Sequence, residues 1–106
     1  MATTATKNPD IRCISQALSV LGDKWTPLLV QQLTICPQTF SDLEKSLEGI
    51  SPRTLSQRLN KLVLDGIVNK VVYCTHPPRY NYSLTQKGQD LQAILRDMAN
   101  WSEKYQ

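Results

Sequence analysis

Residues 51–62 read SPRTLSQRLNKL, and the types and spacing of their side chains fit one kind of chemistry. Arg53, Arg58 and Lys61 are basic, and no acid lies among them. A guanidinium can pair bidentately with a guanine edge, and an amide such as that of Gln57 with an adenine edge. The hydroxyls of Ser51 and Thr54, and the free N–H groups of a helix start, can bind phosphate. Arg53 and Gln57 stand four residues apart and share a face if the stretch is helical. Arg58 and Lys61 then point toward the flanks, where contact with phosphate is expected rather than with bases. The plainer alternative is the solvated face of an amphipathic helix.

The charge distribution favours a polyanion. Between residues 51 and 87, six bases (Arg53, Arg58, Lys61, Lys70, Arg79, Lys87) stand against one acid, Asp65, which gives +5. The whole chain carries +3, so the rest sums to −2. Positive charge gathered in one contiguous third is the electrostatic footprint of a nucleic-acid reader.

Other chemistries find little support. Cys13, Cys36 and Cys74 are odd in number and irregular in spacing, which suits neither a disulfide framework nor a zinc site. His76 is the only histidine, and no metal or other cofactor is expected. There is no Cys-x-x-Cys, no glycine-rich phosphate loop and no nucleophile paired with a base, so an enzyme is not expected. Cys13 follows Arg12 at the expected start of the first helix. A helix N-terminus and a nearby cation both favour the thiolate form. Cys13 is therefore a candidate redox-sensing thiol, or else a half-buried small apolar residue.

These side chains need elements to hold them. Ile14, Ala17, Leu18 and Leu21 recur at helical spacing over residues 13–21, and Gly22 ends the pattern. Asp23 can cap a second helix bearing Trp25, Leu28, Leu29, Val30 and Leu33. After a break at Pro37 and a short extended piece, SDLE at 41–44 reads as a capping box in which Ser41 caps and Glu44 reaches back. That short helix ends at Gly49. Ser51 is an N-cap with Pro52 at the first helical position. Leu55, Leu59, Leu62 and Val63 form the buried stripe of the helix at 51–65, and Gly66 closes it.

Two helices joined by the tight turn at 48–50 have the spacing of a helix-turn-helix. Residues 67–75, IVNKVVYCT, are β-branched and aromatic and read as a strand. HPPR, 76–79, is expected outside the ladder because two prolines remove two donors. YNYSL, 80–84, reads as the returning strand, and Thr85 caps a last helix.

The fold class expected is α+β, mainly α: a winged helix-turn-helix with a two-stranded β-hairpin wing and a C-terminal dimerisation helix. In it the second helix of the pair enters the major groove of double-stranded DNA. Arg79 and His76 at the wing tip would reach the minor groove or the backbone. Alternatively the tip is only a hairpin stiffened by Pro77 and Pro78. Leu91, Ile94, Leu95, Met98 and Trp101, with Tyr105 beyond, form an apolar stripe that wants a partner. A second copy related by two-fold symmetry would supply one. The homodimer would set two recognition helices one DNA turn apart on a palindromic operator. The other reading folds the stripe back on the first helix of the same chain.

Residues 1–10 are expected as a flexible tail and residues 11–106 as a single domain. No apolar run has the length of a membrane span, and the N-terminus lacks a signal-peptide core. No membrane contact and a cytoplasmic location are expected.

The stretches CISQALSVLGDKW, FSDLEKSLEGISPRTLSQRLNKLVLDGIV and VVYCTHPPRYNYSLTQKG resemble the HxlR-type winged-helix transcription regulators of bacteria. The likeness runs over about residues 13–101. It implies a homodimeric DNA-binding regulator, usually a small repressor, whose dimer contacts use the first and last helices, which gives residues 11–106 dimerisation helices at both ends and places Ile14 in the interface. It places DNA contacts at Arg53, Thr54, Gln57 and Arg58, and on the wing near Arg79. Several members sense electrophiles or oxidants through a cysteine at the position of Cys13. Two departures stand out: Ile14 where many members have proline, and Gly22-Asp23 where many have two glycines. An acid at Asp23 could weaken a phosphate contact by Lys24. Outside this family, a winged-helix module that binds another protein and no DNA remains the competing function.

Overall fold

Four short polar side chains mark where helices begin. In the computed structural model, which describes residues 7–106 with side chains from residue 11, Asp23 Oδ1 accepts the N–H groups of Trp25 and Thr26, each at 2.8 Å. Ser51 Oγ accepts the Thr54 N–H at 3.1 Å, with Pro52 in the first turn. Thr85 Oγ1 accepts the Gly88 N–H at 3.1 Å. All three caps are those expected. The fourth lies earlier than expected: Thr39, not Ser41, caps the short helix, in a reciprocal box with Asp42, not Glu44. The helix already begins at Phe40, which leaves Ser41 inside its first turn.

The elements run α1 (Lys7–Leu21), α2 (Trp25–Ile35), β1 (Gln38–Thr39), α3 (Phe40–Ser46), α4 (Pro52–Leu64), β2 (Val68–Thr75), β3 (Pro78–Leu84) and α5 (Gln86–Lys104). Most of the expected tail, residues 1–6, lies outside the described residues. Positions 7–10 belong to α1, because Pro9 falls in the first turn, where a missing N–H has no helical acceptor. Cys13 is therefore interior to α1 rather than at its start.

The sheet is antiparallel with order β1-β3-β2. The short extended piece before α3 thus adds a third strand to the hairpin, pairing Gln38 with Tyr82 and Thr39 with Asn81. Pro78 and Arg79 were expected outside the ladder but pair with Thr75 and Cys74. Pro78 is the first residue of its strand, a position that tolerates proline. A bulge lies between Val72 and Cys74.

The core joins Leu29, Val30 and Leu33 of α2, Leu43, Leu55, Leu59 and Leu62 of α3 and α4, and Ile67, Val68 and Tyr82 of the wing base. Burying each such side chain contributes about 1.5–3 kcal/mol before entropy is counted. Gly49 (φ 90°) and Gly66 (φ 75°) turn the chain on either side of α4, in a region side chains rarely adopt.

The molecule measures 60 × 32 × 23 Å with a radius of gyration of 16.3 Å, against about 13 Å for a compact chain of this size. The excess comes with exposed apolar faces on the first and last helices. Ile11, Ile14 and Leu18 of α1 are exposed, as are Ile94, Met98 and Trp101 of α5.

Candidate nucleic-acid interface

Helix α4 buries Leu55, Leu59 and Leu62, which fixes its rotation. The opposite face then presents Arg53, Ser56, Gln57 and Asn60, at helical spacing i, i+3, i+4, i+7, all exposed. Among the described residues none of these four side chains has a hydrogen-bond or ion-pair partner. Arg53 and Gln57 stand where the sequence placed them. Ser56 joins them on this face, and its spacing from Arg53 was enough to find it.

The helix start is partly self-satisfied. Ser51 Oγ caps the helix and also donates to Thr54 Oγ1 at 2.9 Å. The Thr54 hydroxyl keeps its own hydrogen, and among the described residues it donates to nothing.

Arg58 and Lys61 do not extend freely to the flanks. Arg58 Nε lies 3.2 Å from Asp23 Oδ1. Lys61 Nζ donates to the Ser19 carbonyl at 3.3 Å and to Asp65 Oδ2 at 3.2 Å. Both lean toward the α1–α2 corner, because their positions border the buried stripe and that corner packs beside it. Asp23 feels opposing influences: burial pushes its carboxyl up, but the Thr26 hydroxyl and N–H, the Trp25 N–H and the Arg58 guanidinium outweigh it. The carboxyl is held below its ordinary value.

On the wing, Arg79 is exposed and faces Cys74 across the ladder. It lines a shallow hollow of about 270 Å³ with Phe40, Ser41, Tyr73 and Tyr80. Lys70 Nζ sits 4.3 Å from the Tyr80 ring centroid, a cation–π contact that keeps one base on the wing surface. His76 is exposed at the tip, its Nδ1 3.1 Å from Thr75 Oγ1. The hollow was not visible in the sequence, since Phe40 and Tyr80 meet only through the third strand.

The apolar stripe of α5 divides. Leu91 and Leu95, expected in a dimer interface, are half-buried against their own core. They face inward because α2 runs alongside the start of α5. Ile94, Met98, Trp101 and Tyr105 face out, and Trp101 and Tyr105 pair at 5.7 Å between ring centroids. A groove of about 580 Å³ between α1, α2 and α5 is lined by Leu18, Leu21, Leu28, Leu95 and Met98. Cys13 is exposed on α1; Cys36 is exposed and Cys74 half-buried, and all three are free thiols. The helix-start argument for Cys13 fails, because the N-terminus of α1 lies well over a turn away.

The family model for HxlR-like helix-turn-helix proteins matches residues 20–106. YvaP of Bacillus subtilis, described as an uncharacterised helix-turn-helix transcriptional regulator, is 39% identical over 90 residues, spanning 85% of this chain and 83% of YvaP. The redox regulator HypR in its reduced form superposes with a TM-score of 0.80 at 33% identity, over 86% of this chain and 90% of HypR. Reduced YodB of Bacillus subtilis, a transcriptional regulator, superposes with a TM-score of 0.77 at 32% identity, over 86% and 89% of the two chains.

Proposed function

The chain belongs to the HxlR-like helix-turn-helix family of DNA-binding transcriptional regulators, and from that premise we propose that two copies pair through α1 and α5 and read a palindromic duplex with α4. The observation that carries this reading is the face of Arg53, Ser56, Gln57 and Asn60. It is polar and exposed, and among the described residues its side chains have no partner, on a helix whose other side is core. Arg53 and Gln57 read base edges in the major groove. Ser51, Thr54 and the helix start hold phosphate, with Arg58 and Lys61 at the border and Arg79 on the wing.

The dimer covers Ile14 on α1 and Ile94, Met98 and Trp101 on α5, faces too apolar to stay in water. Leu91 and Leu95 support that surface from beneath. Residues 11–106 act as one unit. Bound at a promoter, the dimer represses by occupying it, in the cytoplasm. No described helix is long and apolar enough to cross a membrane.

Cys13 is an exposed thiol on α1 of the single chain, the helix proposed to meet the partner. HypR is described as a redox regulator, which supports an oxidant response here. A two-electron oxidant such as hypochlorite or diamide would take two hydrogens from a pair of Cys13 thiols, one in each protomer, and leave a disulfide. Non-reducing gels after diamide should show a crosslinked dimer that Cys13→Ser abolishes. An identical response from that variant would end the redox part.

The main test is duplex selection from a randomised pool, followed by titration at several salt concentrations. Log K should fall with log salt, with a slope of about −0.9 per phosphate neutralised. Arg53→Ala should lose about 1–3 kcal/mol and relax preference at one base position. No duplex affinity even at low salt would return the chain to a protein-binding module.

A further inference from the structure

Asp23 lies in the link between α1 and α2, and its carboxylate is heavily engaged. Oδ1 accepts the Trp25 and Thr26 N–H groups at 2.8 Å each, and Oδ2 accepts the Thr26 hydroxyl at 2.6 Å. These bonds fix the carboxylate from the start of α2. Arg58, on α4, comes to it from outside, with Nε 3.2 Å from Oδ1. That Nε is shut off from solvent and, among the described residues, makes no aligned hydrogen bond. Its charge is balanced through the close contact with Asp23. The Arg58 side chain as a whole is 32% exposed. With Nε closed, the exposure belongs to other parts of the side chain, and the end nitrogens of the guanidinium carry the remaining N–H donors.

We propose that Asp23 is a positioning residue for DNA binding, holding the Nε side of Arg58 so that the end nitrogens of its guanidinium meet a phosphate beside α4. The inference rests on α4 being the DNA-facing helix. An unanchored arginine loses rotamer freedom when it binds a phosphate. Arg58 has lost much of that freedom on folding, so less is lost on binding. Lys61, bonded to the Ser19 carbonyl at 3.3 Å, ties the same side of α4 to the end of α1. The recognition helix is thus set against the α1–α2 corner at two points.

The sign of one substitution separates this role from plain charge. Asp23→Asn raises the net charge of +3 by one unit. Charge alone predicts tighter binding to a duplex; loss of positioning predicts weaker binding. Asparagine keeps an oxygen that can accept the Trp25 and Thr26 N–H groups, so the cap on α2 survives.

The experiment titrates a duplex selected by the wild-type protein with Asp23→Asn, Arg58→Lys, Arg58→Ala and the double variant Asp23→Asn/Arg58→Ala. Several salt concentrations are used and every variant is melted. Asp23→Asn should bind severalfold more weakly despite the added charge, with a salt slope smaller in magnitude by about 0.9. The loss should vanish on the Arg58→Ala background. Arg58→Lys keeps the charge but lacks the planar fork that can hold Asp23 and a phosphate together, so it should weaken binding as well.

Equal or tighter binding by Asp23→Asn overturns the proposal. So does a loss that persists without Arg58, since that reports the cap. Should Asp23→Asn fail to fold, Arg58→Lys decides alone, and wild-type affinity from it overturns the proposal. A wild-type protein that ignores every duplex defeats the DNA reading of α4 itself. A binding wild type with unaffected variants defeats only the role of Asp23.

Discussion

Lys87, in the first turn of α5, donates to the main-chain carbonyl of Asp65 just past the end of α4, 2.7 Å away. A cation placed at the C-terminal end of a helix meets both an unsatisfied carbonyl and the negative end of the dipole. One residue later, a side chain on Gly88 would run into the Ile67 carbonyl. Thr85 completes the joint by donating to the Gly66 carbonyl at 2.6 Å. The helix proposed to face DNA and the helix proposed to face the partner therefore share one tightly packed corner.

Gly88→Ala should loosen this corner. The added methyl forces the start of α5 away from Ile67, at a cost of about 1–3 kcal/mol. Urea denaturation at several protein concentrations measures it, and an unchanged midpoint would show that the corner can shift freely.

Core and surface leucines of α4 should part sharply. Leu59 is fully enclosed, and Leu59→Ala should cost about 2–5 kcal/mol. Leu64 is 86% exposed, and Leu64→Ala should stay within about 0.5 kcal/mol of wild type. Equal losses at the two positions would mean that α4 is rotated from the orientation described.

The outward half of the α5 stripe should decide oligomeric state, and the inward half stability. Met98→Glu should convert a dimer to a monomer in sedimentation velocity, because a charge in an apolar interface loses its hydration without a partner. Leu95→Ala should instead lower the melting temperature through its own core. A Met98→Glu protein that sediments like wild type places the interface elsewhere.

Acid should destabilise the fold through two caps. Asp23 is pushed up by burial but held below its ordinary value of 3.8 by Thr26, Trp25 and Arg58. Asp42 is lowered by the Thr39 N–H first and then by the Thr39 hydroxyl. A carboxylate whose folded value is depressed contributes stability above its unfolded value and loses it as pH falls through the folded one. The melting temperature should therefore hold above about pH 5 and decline below about pH 4. Asp23→Asn should make that decline shallower; an identical decline would mean that Asp23 contributes nothing to it.

Much of this was legible in the residues themselves. Asp23, Ser51 and Thr85 cap helices through bonds to groups two or three residues away, so local sequence suffices to find them. The capping box shifted from Ser41 to Thr39 because Thr39 also pairs with Asn81 in the sheet, a contact that local sequence does not contain. Pro78 entered the ladder for the same kind of reason: a proline's place in a strand depends on which neighbour it faces.

The periods, breakers and caps of the chain determined a helix-turn-helix followed by a hairpin, and which face of α4 is polar. Backbone propensity and side-chain period act over a few residues, and nothing distant is needed to read them. Only the tertiary structure decided which bases on that helix are free and which are bound within the molecule. Among the described residues Arg53 stays open, whereas Arg58 meets Asp23 and Lys61 meets Ser19, partners 35 and 42 residues away in the chain. Only packing divided the α5 stripe into Leu91 and Leu95 within and Met98 and Trp101 without. A charge or an apolar side chain has one meaning in water and another beside a neighbour, and folding is what chooses the neighbour.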